Sequence, residues 1–217
     1  MVKFNIGVMK KMLLILTLIQ LMSSCGPKEN GHTYVDLGLS SGLKWATCNI
    51  GAKSPEDFGH YFAWGEINQK EEYIEKNSLT YNQQMIDIAG DVQYDAAKSN
   101  WGGAWRMPTI AEQIELLEEC SWVWITKNGV NGYDVIGPNG NSIFLPVTGY
   151  CMGPHIYYAG EYGSYWSSTP MKTVTTFGDS TNITPASRAF GLCIAVDLSM
   201  MGVDIRSNGH SVRAVME

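Results

Sequence analysis

The pattern of apolar and polar positions predicts a chain of short strands with one well-marked helix. In Ala189–Leu198 the large residues Phe190, Leu192, Ile194, Val196 and Leu198 alternate with Gly191, Cys193 and Ala195. That period of two fits a strand packed on one face and crowded on the other. The helical period appears in WGGAWRMPTIAEQIELLEEC (Trp101–Cys120). There Ile110, Ile114 and Leu117 recur at i, i+4 and i+7, while Glu112, Gln113, Glu115, Glu118 and Glu119 take the wet side. Thr109 stands at the N-cap with Glu112 three residues on, so each side chain can satisfy the other's free backbone N–H, a capping box. The helix is expected to run about three turns, with Trp101 and Trp105 delivered onto its apolar face. Arg106, between Trp105 and Met107, is expected to be partly buried and to need a carboxylate or carbonyl partner. The stretch is read as a structural corner, with anion binding by Arg106 as the other reading.

Before this corner, Thr33–Leu37 and Leu43–Asn49 read as strands around the turn Leu39–Gly42, and Tyr61–Trp64 as a short aromatic strand. Asn68–Gln93 is a long polar excursion with one helical turn, and Asp95–Asn100 a short helix. After the corner, Trp122–Ile125, Tyr133–Ile136 and Ser142–Leu145 read as strands, the last entered through the turn Gly137–Asn141. Gly149–Trp166 is the most ligand-like segment, because Tyr157, Tyr158, Tyr162, Tyr165 and Trp166 put five aromatics in ten residues, with Glu161 among them. Tyr165 and Trp166 are assigned to the core. Met171–Ala186 is a Thr/Ser-rich loop. The end reads as an antiparallel meander: Met200–Gly202 turns into Val203–Arg206, and Asn208-Gly209 is the strongest hairpin signal, leading into Ser211–Val215.

The first 24 residues are set apart. Lys3, Lys10 and Lys11 precede the apolar run Met12–Met22, which is too short to span a bilayer and ends in Ser23-Ser24-Cys25. This resembles a bacterial lipoprotein signal, which implies that Cys25 becomes the first mature residue and carries the acyl chains. An ordinary secretory signal or an uncleaved anchor is the alternative. The organisation expected is 1–24 signal peptide, 25–32 a mobile lipid-anchored tether, and 33–217 one domain. Removing three lysines moves the net charge from −6 to −9, and an acidic chain without a basic cluster argues against nucleic acid. Of the remaining cysteines, Cys48 and Cys120 are a candidate pair, while four free thiols (Cys48, Cys120, Cys151, Cys193) are the alternative.

Taken together, Tyr34–Ala52 (YVDLGLSSGLKWATCNIGA), Tyr61–Glu66 (YFAWGE), Trp101–Thr109 (WGGAWRMPT), Asn139–Gly149 (NGNSIFLPVTG), Tyr165–Thr169 (YWSST) and Ser211–Val215 (SVRAV) resemble the Fibrobacter succinogenes-type major paralogous domain, common in lipoproteins of the Bacteroidetes. The resemblance covers about residues 33–215. It implies an α+β, C-type-lectin-like single domain, related to the formylglycine-generating enzymes, with paired N- and C-terminal strands and long loops. Tyr34–Leu37 should then lie beside Ser211–Val215. The Glu-Pro-Asn, Gln-Pro-Asp and Trp-Asn-Asp triplets of calcium-dependent sugar lectins are missing, as is the closely spaced cysteine pair of the oxidases. No calcium site, metal, cofactor or oxidase chemistry is therefore expected.

The sequence holds no GxSxG, HExxH, P-loop or GxGxxG, and His32, His60, His155 and His210 share no metal-ligand spacing. The function expected is that of a non-catalytic, lipid-anchored outer-membrane protein, an adhesin-like surface or periplasmic module that binds a glycan or protein. Tyr157, Tyr158, Glu161 and Tyr162 are the candidate ligand contacts. Trp101, Trp105, Arg106, Thr109, Glu112 and Trp166 are structural. A subunit of an envelope or fimbrial complex is the alternative, and a hydrolase with an unrecognised carboxylate pair a third.

Overall fold

The computed structural model describes residues 26–171, 173–177, 180–184 and 187–217. Cys25 and the expected signal peptide lie outside the described residues. Short antiparallel strands with few helices give a mainly-β or α+β architecture.

One sheet holds, in order, β1 (Lys28–Glu29), β2 (His32–Asp36), β3 (Lys44–Asn49) and β16 (Arg213–Met216). The two ends of the domain thus share a sheet, but they are not direct neighbours as expected. Tyr34 faces Ala46 of β3, and Val215 faces Trp45 on the other edge of β3. The turn at Leu39–Gly42 folds β3 straight back onto β2, which leaves only the far edge of β3 for the last strand. Alternation along β3 and β16 sends Trp45 and Val215 into one core cluster and Ala46, Ala214 and Met216 into another, so this sheet is buried on both faces.

Gly26–His32 is not a free tether. Asn30 and Gly31, both at positive φ, fold β1 back onto β2. The Glu29 carbonyl accepts from Trp105 Nε1 at 2.8 Å, and the His32 ring stacks on Trp101 with centroids 3.8 Å apart. Apolar and hydrogen-bonding surface on the two tryptophans holds a segment whose own composition is polar.

Helix α1 (Ala96–Trp101) starts at Asp95, whose side chain accepts from Lys98 N. Helix α2 (Ile110–Glu119) starts at Thr109 with the full capping box. Its buried face departs from the expected stripe, for Gln113 and Leu116 are the residues it buries. Gln113 Nε2 donates to the carbonyls of Tyr165 and Trp166, each at 3.3 Å, next to an irregularity in the strand pairing. A strand that breaks register leaves carbonyls needing donors, and a periodicity count cannot see that need. Trp101 and Trp105 join Trp64, Trp166 and Ala46 in a cluster that contains no α2 residue, whereas Leu116 belongs to the other cluster. The expected packing of these tryptophans on the helix is therefore replaced by packing on the terminal sheet.

β5 (Ser121–Lys127), β6 (Val130–Ile136) and β7 (Ser142–Pro146) form a meander. Its first turn is Asn128-Gly129, with φ of 50° and 82°. β10 (Tyr162–Pro170), β13 (Arg188–Ala195) and β14 (Leu198–Ile205) form a second three-stranded sheet, and β11 (Thr173–Phe177) pairs with β12 (Ser180–Thr184) inside the stretch expected as a loop. β14 runs unbroken through Met200–Gly202, where a turn was expected; the turn lies at Val196-Asp197 instead.

Asn208-Gly209 is not a hairpin. Gly209 and His210 form β15, which lies between β4 (Phe62–Ala63) and β8 (Tyr150–Met152), with β9 (His155–Tyr157) beyond. A Cβ on Gly209 would fall 2.6 Å from the Tyr73 ring and 2.9 Å from Cys151 Cβ, so the glycine serves close approach rather than a turn. Residues 206–216 are all buried. Within them Arg213 donates from Nε to Asn49 Oδ1 at 2.9 Å, from one amino group to the Ala46 and Thr47 carbonyls at 3.1 Å, and from the other to the Phe144 carbonyl at 3.0 Å. Arg206 donates to the carbonyls of Arg188, Thr80 and Gln83 and lies over Trp64.

Candidate functional site

The β8–β9 hairpin sets Tyr150 opposite Tyr157, and the chain then loops through Tyr158 to the start of β10 at Tyr162. Local connectivity thereby gathers four phenol rings. Tyr150 lies 5.9 Å from Tyr157, 6.1 Å from Tyr158 and 6.2 Å from Tyr162 between centroids, the last pair edge to face. Tyr150, Tyr158 and Tyr162 line an open recess of about 310 Å³.

Tyr158 is 59% exposed and sits at φ 56°, in the left-handed region. That conformation costs an L-residue about 1–2 kcal/mol. The loop around it is held by its backbone, since the Tyr158 carbonyl accepts from Glu161 N at 3.0 Å and Tyr162 N at 2.9 Å. Below it a Cβ on Gly149 would come 2.3 Å from the Tyr157 carbonyl oxygen. A large, exposed aromatic side chain in a strained, well-tied loop is a feature that packing alone does not require.

Of the four expected contacts, Tyr158 and Tyr162 line the recess and Tyr157 stacks behind Tyr150. Glu161 is exposed and lies outside the recess wall. Tyr150 was missed although it lies in the same segment; only its pairing with Tyr157 brings it in. His210 and Asp204 were also missed, and no local spacing marks them, because they arrive from β15 and β14.

His210 is 1% exposed, edge-on to Tyr150 at 6.2 Å and stacked on Trp166. Its Nδ1 lies 2.8 Å from Ser164 Oγ and its Nε2 2.8 Å from Asp204 Oδ2. An ionised carboxylate only accepts, so Nε2 carries the hydrogen, and in the neutral ring Nδ1 accepts from the serine hydroxyl. Burial alone would raise the Asp204 carboxyl. The bonds from His210 and Asn208 outweigh it and hold the group below its ordinary value. Serine, histidine and aspartate are the residue types of a nucleophilic triad, but the polarity is reversed. Ser164 is 2% exposed and the Asp204 side chain 34%, so the hydroxyl is shut in and the carboxylate meets solvent. Built this way, the row fixes the imidazole beneath the tyrosines instead of presenting a serine to a substrate. Cys193 lies next to it, 4.0 Å from Ser164 Oγ, with its thiol pushed up by burial.

The other expected structural residues are placed as follows. Arg106 makes a two-pronged bond to Glu112, at 2.8 and 2.7 Å, so of the expected carboxylate or carbonyl partner it is a carboxylate that it finds. Trp166 is fully buried and donates to the Phe62 carbonyl at 2.9 Å. Cys48, Cys120, Cys151 and Cys193 are free thiols, so the suggested Cys48–Cys120 bridge is not formed. Cys48 lies in β3 and Cys120 ends α2, on elements that do not adjoin in any sheet. A second recess, of about 440 Å³, lies between the β1–β2 hairpin and residues 52–55, with Lys28, His32, Lys53 and Trp101 on its walls. Among the described residues no three His, Cys, Asp or Glu side chains gather as a metal site, and no helix is long and apolar enough to cross a membrane.

No family model, curated protein or solved structure matches this chain.

Proposed function

We propose that the chain is a non-catalytic, lipid-anchored envelope protein of the bacterial outer membrane. Its domain, C-type-lectin-like and of the Fibrobacter succinogenes-type major paralogous family, binds a glycan or protein ligand through the tyrosine recess. The observation that carries this reading is the exposed Tyr158, held at positive φ in a loop that tilts three phenol rings around one cavity. Stiff aromatic faces with polar tips give contact area at small entropic cost. Further support for the fold comes from the two ends of the domain sharing one sheet, and for the anchor from the short apolar run closing on Cys25. Since β1 begins three residues after Cys25, an acyl anchor there would hold the domain close to the bilayer.

The test is a glycan array together with a pull-down from surface extracts, run with the wild type and the Tyr157→Ala/Tyr158→Ala protein. Binding that survives the double change removes the recess as the site. Palmitate labelling and protease shaving of intact cells test the anchor and its side.

A second reading, a subunit of an envelope or fimbrial assembly, draws on exposed Met152, Ile156 and Tyr158 on one hairpin and Val196, Leu198 and Met200 on the next. Co-purification with a fixed partner in equal amounts would favour it over the first.

A further inference from the structure

The chemistry of the recess narrows what it can hold. All three walls are phenol rings, and a sugar entering between them would find few donors or acceptors for its hydroxyls. The rings offer negative π faces. Burial first, with Asp204 among the further causes, pushes the Tyr150 and Tyr162 phenols up, so both stay neutral and keep those faces. Asp204, not itself a wall residue, carries a carboxylate whose charge is among the causes of both shifts. It is bonded to His210, whose ring centroid lies 6.2 Å from that of Tyr150. No lysine or arginine lines the recess to consume that field.

A plain apolar plug would gain nothing from Asp204, and an anion would be repelled. A primary ammonium would bring three N–H donors into a space that offers only ring faces. A quaternary ammonium has a spread positive charge, an apolar skin and no hydrogen to satisfy, and so matches both features.

We propose that the recess binds the quaternary ammonium head of an alkylated amine, with Tyr150, Tyr158 and Tyr162 as the cage and Asp204 as the counter-charge. The inference rests on the reading of this recess as a ligand site and adds the chemical class of the ligand. A free trimethylammonium compound and the choline headgroup of a lipid share this chemistry.

The experiment titrates the full chain with choline and with 3,3-dimethyl-1-butanol, its uncharged carbon isostere, following tyrosine fluorescence and saturation transfer by NMR. Choline is expected to bind about tenfold more tightly than the isostere. Tyr158→Leu keeps apolar bulk without a π face and should abolish that preference, while Tyr158→Phe should retain it. Tyr158 is exposed, so neither change threatens the fold. Asp204→Asn should weaken choline and leave the isostere unchanged, with near-ultraviolet circular dichroism as the check on folding. Co-sedimentation with phosphatidylcholine vesicles, competed by free choline, assigns the headgroup as the source; choline binding without it assigns a soluble ligand.

Equal binding of choline and isostere overturns the inference, as does absence of choline binding up to about 50 mM. If array or pull-down ligands are then still lost in the Tyr157→Ala/Tyr158→Ala protein, the recess remains a ligand site and only the cation assignment falls. If nothing depends on the tyrosines in either experiment, the reading of the site falls with it.

Discussion

The His210 imidazole lies flat against the Trp166 indole, ring centroids 3.8 Å apart and planes 12° from parallel. Trp166 is a core residue of β10, and His210 belongs to β15, the two-residue strand that carries the C-terminal segment between β4 and β8. The contact joins the tyrosine recess to the hydrophobic core. His210→Leu keeps an apolar body against Trp166 but strips Ser164 Oγ and Asp204 of a partner. Urea unfolding should show a loss of about 2–4 kcal/mol. A loss under about 1 kcal/mol would show that the row contributes no more than a surface contact.

Acid should weaken the fold through two carboxylates. Burial works against ionisation at both Asp204 and Glu112, yet His210 and Asn208 in one case, and Arg106 and Thr109 in the other, hold the folded-state pKa below its ordinary value. A depressed folded-state pKa adds stability that is complete above the unfolded value, about 4, and is lost as pH falls through the folded one. The urea midpoint should therefore drop below about pH 4, and Glu112→Gln should make that drop shallower while lowering the midpoint at pH 7. An unchanged acid limb in the variant would contradict the ion pair.

Arg213 should be among the least replaceable residues in the chain. It is buried without a carboxylate partner among the described residues, and its guanidinium is satisfied by four oxygens from two separate strands, β3 and β7. Lysine cannot reach several carbonyls in one plane. Arg213→Lys and Arg213→Met should each cost about 3–5 kcal/mol or prevent folding, read from soluble yield and urea midpoint.

Two Asn-Gly pairs should respond differently to one methyl group. Gly129 has φ 82° and open space around its missing Cβ, so Gly129→Ala should cost only backbone strain, about 1–2 kcal/mol. Gly209→Ala would collide with Tyr73 and the Cys151 Cβ and should cost more than about 2 kcal/mol. Equal thermal shifts would mean that the sheet around β15 yields more readily than its packing indicates.

Cys48, Cys120, Cys151 and Cys193 should titrate as four thiols in denaturant without reductant, with Cys120 and Cys151 slow in the native state. Burial pushes Cys120 and Cys151 to about 11, so little thiolate is present near neutral pH. Fewer than four thiols by mass spectrometry after alkylation would indicate oxidation in the native protein.

The sequence by itself determined the features whose causes lie within a few residues. The Thr109–Glu112 capping box, the need of Arg106 for a carboxylate or carbonyl partner, the Leu39–Gly42 turn and the burial of Trp166 all follow from neighbours in the chain or from one side chain's own chemistry. Tertiary structure alone decided everything that depends on who stands opposite. Asn208-Gly209 has the composition of a hairpin, but Tyr73 and Cys151 close in on Gly209 and make it a strand between two others. Gln113 reads as solvent-facing until β10 presents carbonyls that need a donor. The tyrosines of the recess are visible as a cluster in the chain, whereas the charge beside them is not. Asp204 and His210 lie more than forty residues away from Tyr162, and closing that distance is the work of long-range strand pairing, which leaves no local periodicity to read.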